Sequence, residues 1–142
     1  MYVRFVCNQK HPSVDAELGM FAARKDADFS HMKASWHRAH EEAFWWFSPR
    51  SPYGLYYPNL KGKLRTRNVR QSLFWFDEKA TFGYSSRHKV VERADVLARL
   101  LCEAGLEARK IRLRNPGRVL WKDTKQSLIN PDGVEIPHAF EA

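Results

Sequence analysis

The sequence predicts a single α+β domain, built on a mixed or antiparallel sheet with two main helices on one face. Three observations carry this. Apolar residues recur at helical spacing through 86–104, as Val90, Val91, Ala94, Leu97, Ala98 and Leu101. A second helical stripe runs through 30–48, as Phe29, Met32, Trp36, Ala39, Ala43, Trp46 and Phe47. After Gly105 the period drops to two, and short extended runs alternate with turn residues to the end of the chain. A helix followed by a meander places the helix over one sheet face. At 142 residues the chain is long enough for a substantial core, and one domain spanning 1–142 is expected.

The elements follow in order. Met1 to Cys7 alternates, with Met1, Val3, Phe5 and Cys7 on one face and Tyr2, Arg4 and Val6 on the other. It reads as a strand that joins the C-terminal sheet. Asn8 to Pro12 is a turn. Ser13 is expected to start a short helix through Leu18 and Phe21, weakened by Gly19. The next helix starts at Asp28 or Ser30 and is stopped by Pro49. Trp45 departs from its stripe and projects outward, near Arg38 and Glu41.

Leu73-Phe74-Trp75-Phe76 is a short apolar segment ahead of the helix at 86–104. Ser85 or Ser86 is suited to cap that helix, and Gly105 to end it in the left-handed conformation. Cys102 is expected to be buried on its apolar side. In Glu107 to Arg114, Ile111 and Leu113 share one face while Lys110, Arg112 and Arg114 share the other, as in a half-buried strand with a basic outer face. Asn115-Pro116-Gly117 turns the chain, because proline presets φ and glycine accepts positive φ. Val119-Leu120-Trp121 and Ser127-Leu128-Ile129 are further strands, with Asp123 and Gln126 stabilising the turn between them. Val134 and Ile136 add a small edge strand before Pro137.

Leu73-Phe74-Trp75-Phe76-Asp77-Glu78-Lys79-Ala80, the helix after it, Asn115-Pro116-Gly117, and Leu120-Trp121-Lys122-Asp123 through Gln126 together form a pattern. It resembles small bacterial proteins of unknown function, which share a Trp-Phe segment before a helix, a Pro-Gly turn and an Asp-x-x-Gln before the last strand. Val3-Arg4-Phe5-Val6 is similar as well. The resemblance covers about half of the chain, and the family supplies no activity.

The long basic surface loop at 49–70 has no place in that pattern. It holds Pro49, Pro52, Pro58, Gly54 and Gly62, three tyrosines (Tyr53, Tyr56 and Tyr57), and six cations (Arg50, Lys61, Lys63, Arg65, Arg67 and Arg70) without one acidic residue. The whole chain carries a formal net charge of +8. Cations bind phosphates and aromatic faces stack bases, so this run points to nucleic acid or a nucleotide-like, phosphate-containing anion. In that reading Lys61, Lys63, Arg65, Arg67 and Arg70 contact phosphates, Arg112 and Arg114 extend the path, and Tyr53, Tyr56, Tyr57 or Trp45 stack. An acidic protein surface is the other partner suited to such a loop.

Two further readings compete. The chain could be a small enzyme acting on a nucleotide or nucleic acid, with His37, His40 or His88 moving protons near an arginine. It could instead be a protein-interaction or inhibitor module that uses its exposed aromatics. His37, His40 and Glu41 have a spacing that could serve a metal, with His31 nearby, but the helical projection separates His40 from Glu41. Neither a metal nor a cofactor is expected. Cys7 and Cys102 are far apart and form no Cys-x-x-Cys, which suits a reduced, cytoplasmic protein. No apolar run reaches the roughly 18 residues of a membrane span, and Met1 to Arg4 do not open a secretion signal.

Overall fold

The N-terminal alternation builds the middle of the sheet. In the computed structural model, which describes residues 1–47, 70–81, 89–123 and 125–138, strand β1 spans Tyr2–Lys10. It pairs with β4 (Ala108–Leu113) continuously from Tyr2↔Leu113 to Cys7↔Ala108. Its other edge is therefore shared. β3 (Leu73–Asp77) takes the start of β1, at Tyr2↔Asp77 and Val3↔Phe76, and β2 (Glu17–Gly19) takes the end, at Val6↔Gly19 and Lys10↔Glu17. Between them, opposite Arg4 and Phe5, the sheet is split. β6 (Gln126–Asn130) pairs with β3, and β5 (Arg118–Lys122) with β6. All five pairings are antiparallel, and the fold is α+β.

Three α-helices and a 3₁₀ turn at Arg24–Asp26 complete the described structure. α1 is the single turn Met20–Ala23, α2 spans Ala34–Trp45, and α3 spans Val90–Glu103. α3 lies on the sheet because its stripe is complete: Val90, Val91, Ala94, Leu97, Ala98 and Leu101 are all buried, against Val3, Phe5, Cys7 and Phe76. Each large aliphatic side chain buried in this way contributes roughly 1.5–3 kcal/mol. Gly105 ends α3 at φ +91°. α2 docks beside α3, where Trp36 Nε1 donates to the Leu100 carbonyl at 2.9 Å. Phe47, just past α2, reaches the sheet and joins Phe21, Phe76 and Phe5 in edge-on and tilted contacts. Both main helices thus lie on one side, but α2 meets the sheet chiefly through this last residue.

The opposite sheet face carries a second, smaller core of Ala16, Leu73, Trp75, Ile129 and Ile136. The segment Val134 to His138 covers it as an irregular strap, not as the expected edge strand. Other boundaries move for identifiable reasons. Residues 13–19 form a turn and β2 instead of a helix, because Glu17 and Gly19 find partners on β1 and His11 N–H bonds the Ala16 carbonyl at 2.8 Å. α2 starts at Ala34, later than expected, because Asp28 Oδ1 accepts from Ser30 N–H at 2.9 Å and closes a local turn first. Ser85 and Ser86 lie outside the described residues, and Lys89 is the residue preceding α3. Cys102 is exposed rather than buried; its sulfur lies 3.3 Å from both N and O of Ala108.

The basic face of β4 is also placed differently. Register puts Lys110 with Phe5 and Arg112 with Val3, on the helix side of the sheet. Each reaches outward past the core to an acid, Lys110 to Asp95 at 3.4 Å and Arg112 to Glu78. Ile111 and Leu113 take the opposite face, where Leu113 packs against the second core.

Candidate functional site

Trp45 is the most exposed large apolar side chain in the described residues, at 62%. It closes α2, two residues before Phe47, which is 1% exposed and locked among the ring contacts described above. Arg70, exposed, precedes β3 by three residues. In sequence the basic run at 49–70 follows Trp45 and Phe47 and ends at Arg70. Tyr53, Tyr56, Tyr57, Lys61, Lys63, Arg65, Arg67 and His88 lie outside the described residues. Arg114 is exposed at the end of β4, while Arg112 is engaged by Glu78.

The histidines take different surroundings. His40 is buried and sandwiched: its ring stacks on Trp36 at 4.8 Å, lies 6.5 Å from Phe44, and its Nε2 accepts from Arg24 Nε at 3.2 Å. Arg24 itself sits 3.5 Å over the Phe44 ring. Burial depresses the His40 pKa, and the Arg24 charge reinforces this. His37 meets the edge of Trp36 at 5.2 Å. His31 Nε2 lies 3.1 Å from the Ala104 carbonyl oxygen, to which it donates, tying α2's approach to the end of α3. His40 thus meets an arginine, but inside a packed aromatic layer. Among the described residues no cluster of three or more His, Cys, Asp or Glu is placed to hold a metal ion. Nor is any helix there long and apolar enough to cross a membrane.

A cavity of about 90 Å³ opens at the split in the sheet. Its walls come from β1, β2, α1, β3 and the start of β6, and four are phenylalanines: Phe5, Phe21, Phe74 and Phe76. Arg4, His11, Ser72 and Gln126 bring polar groups to it. Arg4 Nη2 donates to the Glu17 carbonyl at 2.7 Å, holding β2 where it diverges from β3. His11 accepts from Ser13 and Val14 N–H through Nδ1, and burial together with the Arg4 charge lowers its pKa. Gln126 is 1% exposed; its Nε2 donates to Asp123 Oδ2 at 3.3 Å, and its Oε1 meets no partner among the described residues.

Under the strap, His138 joins two acids. Its Nδ1 lies 3.2 Å from Oε2 of Glu17, which is 1% exposed, and its Nε2 lies 3.6 Å from the exposed Asp15. This links the C-terminal strap to β2 beside an open, polar cleft of about 560 Å³. Sequence reasoning missed Glu17, His138 and the place of Gln126 in the cavity wall. The signal for Gln126 was its Asp-x-x-Gln pairing, read only as a turn; nothing local marks Glu17 or His138. No family model, curated protein or solved structure matches this chain.

Proposed function

We propose that this protein binds an anionic, phosphate-bearing polymer, most simply a single-stranded nucleic acid, through the 49–70 run and the aromatic side chain beside it. One observation carries the reading. Six cations and three tyrosines without an acid occupy a run that closes on an exposed Arg70 and follows, four residues on, the outward Trp45 at the end of α2. Cations neutralise phosphates and release their counterions, while tyrosine and tryptophan faces stack bases with little regard to sequence. The chain's net charge of +8 steers such a ligand toward it. Arg114, exposed at the end of β4, is available to extend the phosphate path.

The test is a fluorescence-polarisation titration against short single-stranded RNA, single-stranded DNA and duplex DNA at two salt concentrations. Lys63→Ala/Arg65→Ala/Arg67→Ala and Trp45→Ala run beside the wild type. Affinity is expected to fall steeply with salt, and the triple variant to flatten that slope. Trp45→Ala is expected to weaken single strands by about fivefold to a hundredfold, the equivalent of about 1–3 kcal/mol of stacking. Binding that ignores salt, or that survives the triple variant, sinks the reading and turns attention to a protein partner for Trp45.

A further inference from the structure

We propose that the outer edge of β4, with the cleft between it and α3, is a β-addition site for an extended acidic segment of a partner protein. Backbone direction supplies the first reason. In an antiparallel pair, successive residues turn their N–H and C=O groups alternately toward the partner strand and away from it. Cys102 Sγ, on α3, accepts from Ala108 N–H and donates to the Ala108 carbonyl, each at 3.3 Å. The backbone groups of Ala108 therefore face away from β1. By alternation those of Lys110 and Arg112 do too, while Arg109, Ile111 and Leu113 turn inward to Val6, Arg4 and Tyr2. The far side of β1 agrees: the Met1 carbonyl, which by the same alternation faces away from β4, accepts from Glu78 N–H at 3.0 Å. The N–H and C=O groups of Lys110 and Arg112 thus point outward and meet no strand among the described residues. An open ladder of this kind is a template for an added strand.

Regularity supplies the second reason. The β1–β4 register runs unbroken from Tyr2↔Leu113 to Cys7↔Ala108, and 108–113 holds no proline. β5, at the other end of the sheet, has a register shift between Val119 and Trp121 that spoils its edge. Charge supplies the third. Two β4 edges brought together would set cation opposite cation, so the edge rejects a second copy and favours an acidic strand. A cleft of about 230 Å³ lies beside it, between Ala108 and Lys110 on β4 and Asp95, Ala98, Arg99 and Cys102 on α3. Lys110 engages Asp95, whereas the exposed Arg99 has no ion-pair partner among the described residues. An acid on the helix side of an added strand, opposite Lys110, enters this cleft and meets Arg99. The residue opposite Ile111 lies on the other face, where Ile111 and Leu113 favour an apolar neighbour. The fitting segment therefore reads acid, β-branched residue, acid. A phosphate backbone offers only acceptors and leaves the two carbonyls unanswered, whereas a peptide strand answers all the outward groups.

The probe is the peptide Thr-Glu-Val-Glu-Thr, acetylated and amidated. It is titrated into the ¹⁵N-labelled full chain and followed by NMR shifts and amide exchange. In the free protein the Lys110 and Arg112 amides are expected to exchange faster than those of Arg109 and Ile111. The peptide is expected to shift the first pair and protect it. N-methylation of both glutamates removes the donors that face Lys110 and Arg112 but keeps the charge, and is expected to weaken binding about tenfold. Lysines in place of the glutamates are expected to weaken it about tenfold or more. Lys110→Pro removes an outward N–H that the fold does not use and is expected to lose the peptide. Because proline also restrains β4, Arg99→Glu serves as a second variant: it is expected to lose the preference for glutamate over lysine while keeping the near-UV circular dichroism of the wild type. No shift and no protection at Lys110 and Arg112 with the peptide in large excess overturns the proposal. Equal binding of the N-methylated peptide does so too, since side chains alone would then hold it. Protection of the same amides by a single-stranded oligothymidine, with none by the peptide, would give the edge to nucleic acid and equally overturn it.

Discussion

The imidazole of His40 lies parallel to the indole of Trp36, with ring centroids 4.8 Å apart and planes 8° from parallel. Arg24 donates to its Nε2, so the ring is neutral, with its proton on Nδ1. Protonation would place a charge in a buried layer beside a guanidinium. The folded state therefore binds that proton less readily than the unfolded chain, which titrates near 6.5.

Stability is accordingly expected to fall as pH drops below about 6.5, because the unfolded state gains protons that the folded state refuses. His11, also depressed by burial and by Arg4, acts in the same direction. Thermal unfolding at about pH 7.5 and about pH 5.5 measures the effect. His40→Gln is expected to be less stable at the higher pH, having lost the stack, yet to lose less on acidification than the wild type. An identical acid loss in the variant would remove His40 as a source.

α3 supplies a sharp contrast between neighbours. Leu97 is 0% exposed against the sheet, whereas Val96 is 45% exposed. Leu97→Ala is expected to cost about 2–5 kcal/mol through lost transfer energy and the cavity left behind. Val96→Ala is expected to stay within about 0.5 kcal/mol. Urea unfolding curves of the two variants test the orientation of α3, and comparable losses would contradict it.

What the sequence disclosed follows the range of the interactions. α3 was legible because its stripe and outward charges lie within one helix and its glycine stop lies directly after it. The Asp123–Gln126 turn was legible for the same reason: Asp123 Oδ1 accepts from Lys125 and Gln126 N–H at 2.7 and 2.9 Å. β2 was not legible, because Glu17 and Gly19 are held by pairing across to β1, and a local reading sees only weak helical spacing. Lys110 and Arg112 looked outward because they are charged, but their long side chains let them stand on the helix side and still reach Asp95 and Glu78. The cavity arises where β2 and β3 share one edge of β1, a consequence of topology that no single segment encodes.

Gly117 is needed for its backbone and for its lack of a side chain. It sits at φ +138°, and a Cβ there would lie 2.1 Å from the Asn130 carbonyl oxygen. That oxygen belongs to the end of β6, whose partner Arg118 begins β5, so the backbone has little room to yield. Gly117→Ala is expected to destabilise the fold by about 2 kcal/mol or more. Gly105→Ala is the control: its φ is +91°, but nothing lies within 4 Å of the added methyl, so only the conformational cost applies. Equal melting temperatures for the two variants would argue against the close approach to β6.

The two thiols should differ in reactivity although they lie near one another. Cys7 is 0% exposed on β1, and burial pushes its pKa up to about 11; Cys102 adds to the rise and Arg4 opposes it. Only thiolates attack a disulfide reagent, so Cys7 is doubly protected, by access and by protonation. Cys102 is exposed at the end of α3. A disulfide-exchange reagent at neutral pH is therefore expected to titrate one thiol per native chain, to titrate none in Cys102→Ser, and to reach both thiols only after unfolding in guanidinium. The native Cys102→Ser variant then reports opening of the sheet, because Cys7 reacts at the rate at which β1 and α3 separate. Rapid reaction of Cys7 in the native Cys102→Ser variant would mean that α3 does not seal this face of β1.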